Sequence, residues 1–354
     1  MKSVLQEAPD WWKSELSDIE AAVASVKKGK VSIIGQSAGG RNIYLFEYGK
    51  RSEYLRTANY SASLGCYKPE TYKQNKHPHI MIVTGEHGAE WEGIVSGLNL
   101  VQIFETGKDY AGMAYPELAT MPERAYIALI LTANPDGRAR VKYKTVVGMD
   151  RISFRKEDQG IWNNGEYCEW PDVKAVHPIK GMVQKLGGYF NDDGVNIVHD
   201  NFANPMAEET RVLLKTVSDI GPDIVVDMHG HGHLGGGHLI PSPHQCTECY
   251  QACYDFSVKW ANNMNKYGYQ AKTIEMEIDR LKIPSFNLQD AIHVTCGAMV
   301  MVYESDQGVL LQREDESRLQ NRHEKIYEKH LIFYRTVDEF MQERYYAKGK
   351  SNIL

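Results

Sequence analysis

Short, continuously apolar runs recur along most of the chain, separated by polar or glycine-rich stretches. Val31 to Ile34, Asn42 to Tyr48, His79 to Thr84, Tyr126 to Thr132, Asp223 to Met228, His238 to Pro241, Lys272 to Met276 and Ala298 to Glu304 are such runs. Most have the pattern of strands buried on both faces. Between them the period lengthens to that of a helix. Trp91, Ile94, Val95 and Leu98 form one helical stripe, and Leu213, Val217 and Ile220 form another behind the Pro205 to Glu209 start. Ile326, His330, Phe333, Val337 and Phe340 mark a long C-terminal helix. Strands alternating with helices predict an α/β fold: a three-layer sandwich with a mixed, mostly parallel sheet of about eight strands flanked by helices. Lys142 to Asn191 has no clear period and is long for a loop, so it reads as a functional excursion over a site.

Composition adds limits. The 354 residues are 42% hydrophobic and 24% charged, the balance of an ordinary globular protein with an ample core. A net charge of -6 argues against a nucleic-acid partner, which needs a basic face. No run approaches the roughly 18 apolar residues that span a bilayer, so no membrane partner is expected. The first residues lack the apolar core and cleavage site of a signal peptide, and a cytoplasmic location is expected. The six cysteines, Cys66, Cys168, Cys246, Cys249, Cys253 and Cys296, do not make a disulfide scaffold. Cys246, Cys249 and Cys253 cluster, which allows a metal-site reading. The stronger reading is a helix face, because Cys249, Cys253, Phe256 and Trp260 share one apolar stripe.

The chemistry collects at strand ends. After His79 to Thr84 come Gly85, Glu86, His87, Gly88, Ala89 and Glu90, a tight turn into a helix. His87 and Glu90 therefore lie at the carboxyl end of a strand, where open α/β sheets place ligand sites. A catalytic zinc site takes three protein ligands and leaves one position open. His229 follows the apolar run from Asp223 and is the third candidate; His231, His233 and His238 compete from a glycine-rich loop. Glu304 ends a further apolar strand. Buried alone it is costly; facing a water activated by a metal it becomes a general base. Each feature by itself is weak, since His-x-x-Glu occurs by chance and strand-end histidines are usually satisfied by hydrogen bonds. Four together at strand ends are much harder to obtain by accident.

These residues resemble the zinc carboxypeptidase superfamily, the carboxypeptidase A-like enzymes, over about Gly35 to Gly308. The motifs are Gly35 to Ile43, the His87 to Trp91 segment, Asn134-Pro135-Asp136-Gly137, Asp227-Met228-His229-Gly230 and Tyr303-Glu304, in that order. The resemblance implies one catalytic domain over 1–354, with an N-terminal helical extension (about 1–28) and a long C-terminal helix (about 312–345). It implies one Zn2+ ion on His87, Glu90 and His229, Glu304 as base, and a peptide or small amide as substrate. Arg151 to Lys156 resembles the family's arginine-rich segment, which would make Arg155 the group that polarises the scissile carbonyl. The bland alternative for Arg155 is a solvated basic loop. By the same resemblance, His199, Asp200, Asn201, Phe286 and Asn287 would stand where the family binds substrate.

The departures bear on specificity. Ala89 stands where the family carries an arginine, and Gly194 to Phe202 lacks the Asn-Arg pair that grips a substrate carboxylate. Neither His199 nor Asp200 reproduces a bidentate guanidinium. Asn196 stands where an aspartate often orients a zinc histidine, and no tyrosine lies between Tyr269 and Tyr303. A relocated clamp at Arg138 or Arg140 is one possibility. The expected activity is zinc-dependent hydrolysis of a peptide or amide bond with non-classical carboxypeptidase specificity. The rival readings are a deacylase of N-acyl amino acids or small amides, and a non-catalytic metal-binding relative.

Overall fold

The computed structural model describes residues 4–52, 58–63, 77–231, 237–242, 247–275, 286–310, 317 and 319–347. In chain order the strands are β1 (Lys30–Gln36), β2 (Asn42–Tyr48), β3 (His79–Thr84), β4 (Tyr126–Ile130), β5 (Gly160–Trp162), β6 (Val183–Leu186), β7 (Ile224–Gly230), β8 (His238–Ser242) and β9 (Met299–Ser305). Seven of them form one sheet in the order β1-β2-β4-β3-β7-β9-β8. The central strands β4, β3, β7 and β9 are parallel. β2 runs antiparallel to both neighbours and β8 antiparallel to β9, so these two oppose the other five.

Through the centre of the sheet the apolar runs are continuous because both faces are covered, whereas the edge strand β1 has no buried residue. Every residue of β3, β4 and β7 is buried. Alternate side chains go to opposite layers, as a strand requires. Ile80, Ile82, Ile224, Val226, Met299 and Met301 pack with the helices Trp91–Thr106, Thr247–Lys266 and Arg322–Ala347. Met81, Val83, Ala128, Val225 and Val300 pack on the other side with the helices Glu208–Ile220 and Leu288–Cys296. This is the three-layer α/β sandwich.

Two expectations are corrected. The sheet has seven strands where about eight were expected, because Lys272–Glu275 is not a strand (Met276 lies outside the described residues). Its backbone bonds to side chains of the neighbouring helix instead: Ile274 N–H donates to Ser257 Oγ at 3.0 Å, and the Tyr250 hydroxyl donates to the Glu275 carbonyl. The stretch from Lys142 to Asn191 is also more than a loop. It holds the helix Arg151–Asp158 and the antiparallel β5–β6 pair, with a small core of Cys168, Val173, Ile179 and Phe190. Cys249 and Cys253 are fully buried on the helical face with Phe256 and Trp260, and their thiols donate to the carbonyls of Ser242 and Val300. Cys66 and Cys246 lie outside the described residues.

Candidate metal centre

Strand order creates the site. β3, β7 and β9 are adjacent and parallel, so their carboxyl ends share one edge of the sheet. Thr84 is level with Met228, and His229 is level with Glu304. The chain leaving β3 turns at Gly85, whose φ of 65° favours glycine. Asn134 secures that turn: its amide donates to the Glu86 carbonyl at 3.1 Å, and its carbonyl accepts from Gly137 N–H at 2.9 Å. Gly88 donates to the Gly188 carbonyl at 2.7 Å, and a Cβ on it would sit 2.0 Å from the Gly137 carbonyl carbon. Three turns are thus pressed backbone to backbone, and the helix Trp91–Thr106 begins directly after Glu90.

The early Gly35 to Ile43 turn joins the same scaffold. Asp136 accepts from Ser37 Oγ (2.5 Å), Gly39 N–H (2.8 Å) and Arg41 (2.7 Å). Arg41 also reaches Asp192, and Arg140 holds Asp192 together with the carbonyls of Gly187 and Phe190. Arg138 is buried, bonded to the carbonyls of Ser14, Val141 and Tyr143 and stacked 5.0 Å over Trp91. Both arginines serve the scaffold.

His87, Glu90 and His229 are buried, and their donor atoms form one group able to hold a metal ion. His87 Nδ1 is 2.8 Å from Glu90 Oε1, and His229 Nδ1 is 2.9 Å from Glu90 Oε2. The far nitrogens have separate partners. His87 Nε2 faces Asn196 Oδ1 at 3.3 Å, and His229 Nε2 faces Asp227 Oδ2 at 3.0 Å and Glu86 Oε2 at 3.1 Å. With the acceptors placed there, the proton of each neutral ring belongs at Nε2 and the lone pair at Nδ1 points into the centre. Glu90 Oε2 is buried, and His229 Nδ1 faces it without a directed N–H between them. Two imidazole nitrogens and one carboxylate converging in a buried pocket fit zinc.

The electrostatics agree. Burial alone would raise Glu90, but His87 and His229 outweigh it and hold the carboxyl at about 2. Burial would lower His229, yet Asp227 and Glu90 drive it well above the usual histidine range. Burial, with the charge of Asp227, pushes Glu86 up to about 8. Burial pushes Glu304 up to about 7, against the pull of His229 and with the push of Glu90 and Asp227. A cation would relieve each of these acids.

The remaining sequence candidates fall around this centre. Arg155 is ion-paired with Glu169, on the helix Arg151–Asp158. His199 closes the short turn Ile197–His199; burial and the charges of His87, Lys174, His177 and His229 lower it to about 3, and its ring lies 5.6 Å from Trp170. Asp200 caps the chain entering the Glu208–Ile220 helix, accepting from the N–H groups of Asn201, Met206 and Ala207 at 2.6, 2.9 and 3.0 Å. Asn201 is exposed. Phe286 is exposed against Phe202, and Asn287 caps the helix Leu288–Cys296. His231 and His238 face each other at 5.3 Å outside the three-ligand group, and His233 lies outside the described residues.

Sequence reasoning missed four residues. Glu86 and Asp227 stand behind His229, and Gln289 donates to both. For Asp227 a signal existed, because Asp-x-His on a strand puts both side chains on one face. Tyr189 stacks flat on the His87 ring, centroids 3.7 Å apart at 8°, a long-range contact with no local signature.

A profile of zinc carboxypeptidases matches residues 20–281. No curated protein sequence matches the chain. Among solved structures, a metallo-carboxypeptidase from Burkholderia cenocepacia superposes with a TM-score of 0.56 at 12% identity, covering 92% of this chain and 68% of that one. Bovine thrombin-activatable fibrinolysis inhibitor, in complex with tick carboxypeptidase inhibitor, superposes with a TM-score of 0.55 at 11% identity, covering 95% and 99%. At these identities the likeness is one of fold. The profile spans most of the chain and includes His87, Glu90 and His229, and by that match the chain belongs to the zinc carboxypeptidase family.

Proposed function

We propose that this protein hydrolyses an amide bond in a peptide or small amide, with His87, Glu90 and His229 holding one zinc ion and Glu304 as general base and acid. The observation that carries the reading is the convergence of both Nδ1 atoms on the two oxygens of Glu90, with Glu304 level with His229 on the next strand. When bound, zinc supplies Lewis-acid activation of water and of the scissile carbonyl. Glu304 takes the proton from the attacking water and returns it to the leaving nitrogen. Its half-buried position and raised affinity for protons suit both duties. Asn196 and the Asp227–Glu86 pair keep the two imidazoles oriented. Arg155, released from Glu169, stabilises the oxyanion.

Substrate choice departs from removal of an ordinary C-terminal L-residue. Gly194 to Phe202 offers no guanidinium, and Asp200 is committed to backbone N–H groups. A peptide with an altered end, such as a D- or γ-linked residue, fits better than a free L-carboxylate. The test is a mass-spectrometric screen of L-, D- and γ-linked peptides and N-acyl amino acids, with wild type and Glu304→Gln, with and without a chelator. Cleavage by wild type should vanish with chelator, and Glu304→Gln should lose about 10²–10⁴-fold in rate while still binding zinc. Full activity in Glu304→Gln would remove the base from the mechanism.

A further inference from the structure

The helix Trp91–Thr106 starts at the metal centre, and its sixteen residues carry the chain about 24 Å away. Around the turn that follows, between Trp11 and the helix Arg322–Ala347, lies a cavity of about 370 Å³. That is within the range of small-molecule sites, about 300–1,000 Å³. The Trp11 and Tyr327 rings line it with centroids 5.2 Å apart, beside Tyr115, and the buried Leu331 and Ile332 give it an apolar wall.

Its charge is one-sided. Asp109 is buried in the lining, and Glu324 and Glu328 are exposed at the rim. The opposing cation is Arg335, which is already engaged: it donates to the Tyr267 hydroxyl at 3.0 Å, pairs with Glu117 at 3.7 Å and lies 5.8 Å over Tyr115. Tyr327 is 7% exposed, and its hydroxyl lies beside the Asp109 carboxylate with no donor directed at its oxygen among the described residues. A hydroxyl that gives its proton to a carboxylate keeps its lone pairs, so the oxygen can accept from a ligand N–H.

We propose that this cavity is a second ligand site, separate from the metal centre, for a small primary ammonium compound with an apolar body. Aromatic faces attract a cation through their quadrupoles. The carboxylates repel anions and add to the attraction. The Tyr327 hydroxyl accepts one ammonium N–H, and Leu331 and Ile332 take the alkyl part. A neutral apolar guest brings no donor to the hydroxyl oxygen and no charge to the carboxylates.

The test is isothermal titration calorimetry of the zinc-loaded full chain with n-pentylammonium, against 1-pentanol as the uncharged counterpart. The amine should give a saturable one-site isotherm, with the alcohol at least about tenfold weaker. Glu324→Gln with Glu328→Gln changes only exposed positions and should weaken the amine by about tenfold. Tyr327→Phe, checked for folding by circular dichroism, should weaken it as well. No saturable binding, equal binding of the alcohol, or an affinity untouched by the double variant would each overturn the proposal. The last outcome would place the amine elsewhere, for example at the metal.

Discussion

At the residue scale, the centre depends on what stands behind its two histidines. Asp227 Oδ2 serves two donors, His229 Nε2 at 3.0 Å and the Gln289 amide. Asparagine has the same shape but one acceptor oxygen and no charge. Asp227→Asn should therefore weaken zinc binding by about 10- to 100-fold, read by competition with a chromophoric chelator, while the fold persists. Unchanged affinity would mean that Glu86 alone orients His229. Glu304 carries a second consequence. It acts as a base only when ionised, and burial moves its carboxyl from 4.5 to about 7. A bound cation lowers that value, so kcat/KM should rise with pH through a single group titrating below about 7, and Glu304→Gln should remove that limb from its residual activity. An acid limb that persists unchanged in Glu304→Gln would take Glu304 out of the base role.

At the scale of elements, the site is a meeting of three turns, and glycine is what allows it. A Cβ at Gly88 would lie 2.0 and 2.2 Å from the carbonyl carbon and oxygen of Gly137, where only backbone movement gives relief. Gly88→Ala should cost about 3 kcal/mol or more and abolish zinc binding, seen as a lowered Tm that zinc no longer raises. Gly40→Ala is the contrast: its φ is 76° but a Cβ meets nothing within 4 Å. It should cost only about 1 kcal/mol and leave zinc binding intact. The elements were legible where a single principle decided them. β3 coincides with its apolar run because both faces are covered there, and β2 with its run because Ile43, Leu45, Phe46 and Tyr48 are buried between half-buried neighbours. Lys272–Glu275 misled because its apolar pattern serves packing on a helix, while its backbone bonds to Ser257 and Tyr250. The excursion from Lys142 hid its helix because Arg151–Asp158 buries almost nothing along its own length. The site was legible at strand ends and illegible behind them, since the Glu86 to His229 and Tyr189 to His87 contacts join distant stretches of chain. Asn287 shows a local signal that was readable: Asn287 and Asp290 form a capping box, so the asparagine belongs to the helix start.

At the scale of the whole molecule, the modest net charge of -6 conceals a concentration of acid at one edge of the sheet. Glu92 is buried beside the centre; burial raises it to about 8, Glu90 and Asp306 push it the same way, and one of its oxygens is unpaired. Asp158 is raised well above the usual carboxyl range, by burial first and then by Glu90 and Glu92. A carboxyl with a raised folded pKa is protonated in the native state and ionised in the unfolded chain. Between its ordinary value and its folded value the unfolded chain binds fewer protons, so stability falls as pH rises. For Glu92 that interval runs from 4.5 to about 8. The metal-free protein should therefore melt at a lower temperature at pH 8 than at pH 5. Zinc should raise the pH 8 value more than the pH 5 value, because the ion binds a site whose histidines must be neutral and whose acids it stabilises. Glu92→Gln isolates the effect. Glutamine mimics the protonated carboxyl, and its oxygen still accepts the Gln307 amide that now reaches Glu92 at 3.3 Å. The variant should match wild type near pH 5 and exceed it at pH 8 by calorimetry in the presence of a chelator. If both proteins lost stability in parallel across that range, the slope would have to come from other acids of the edge.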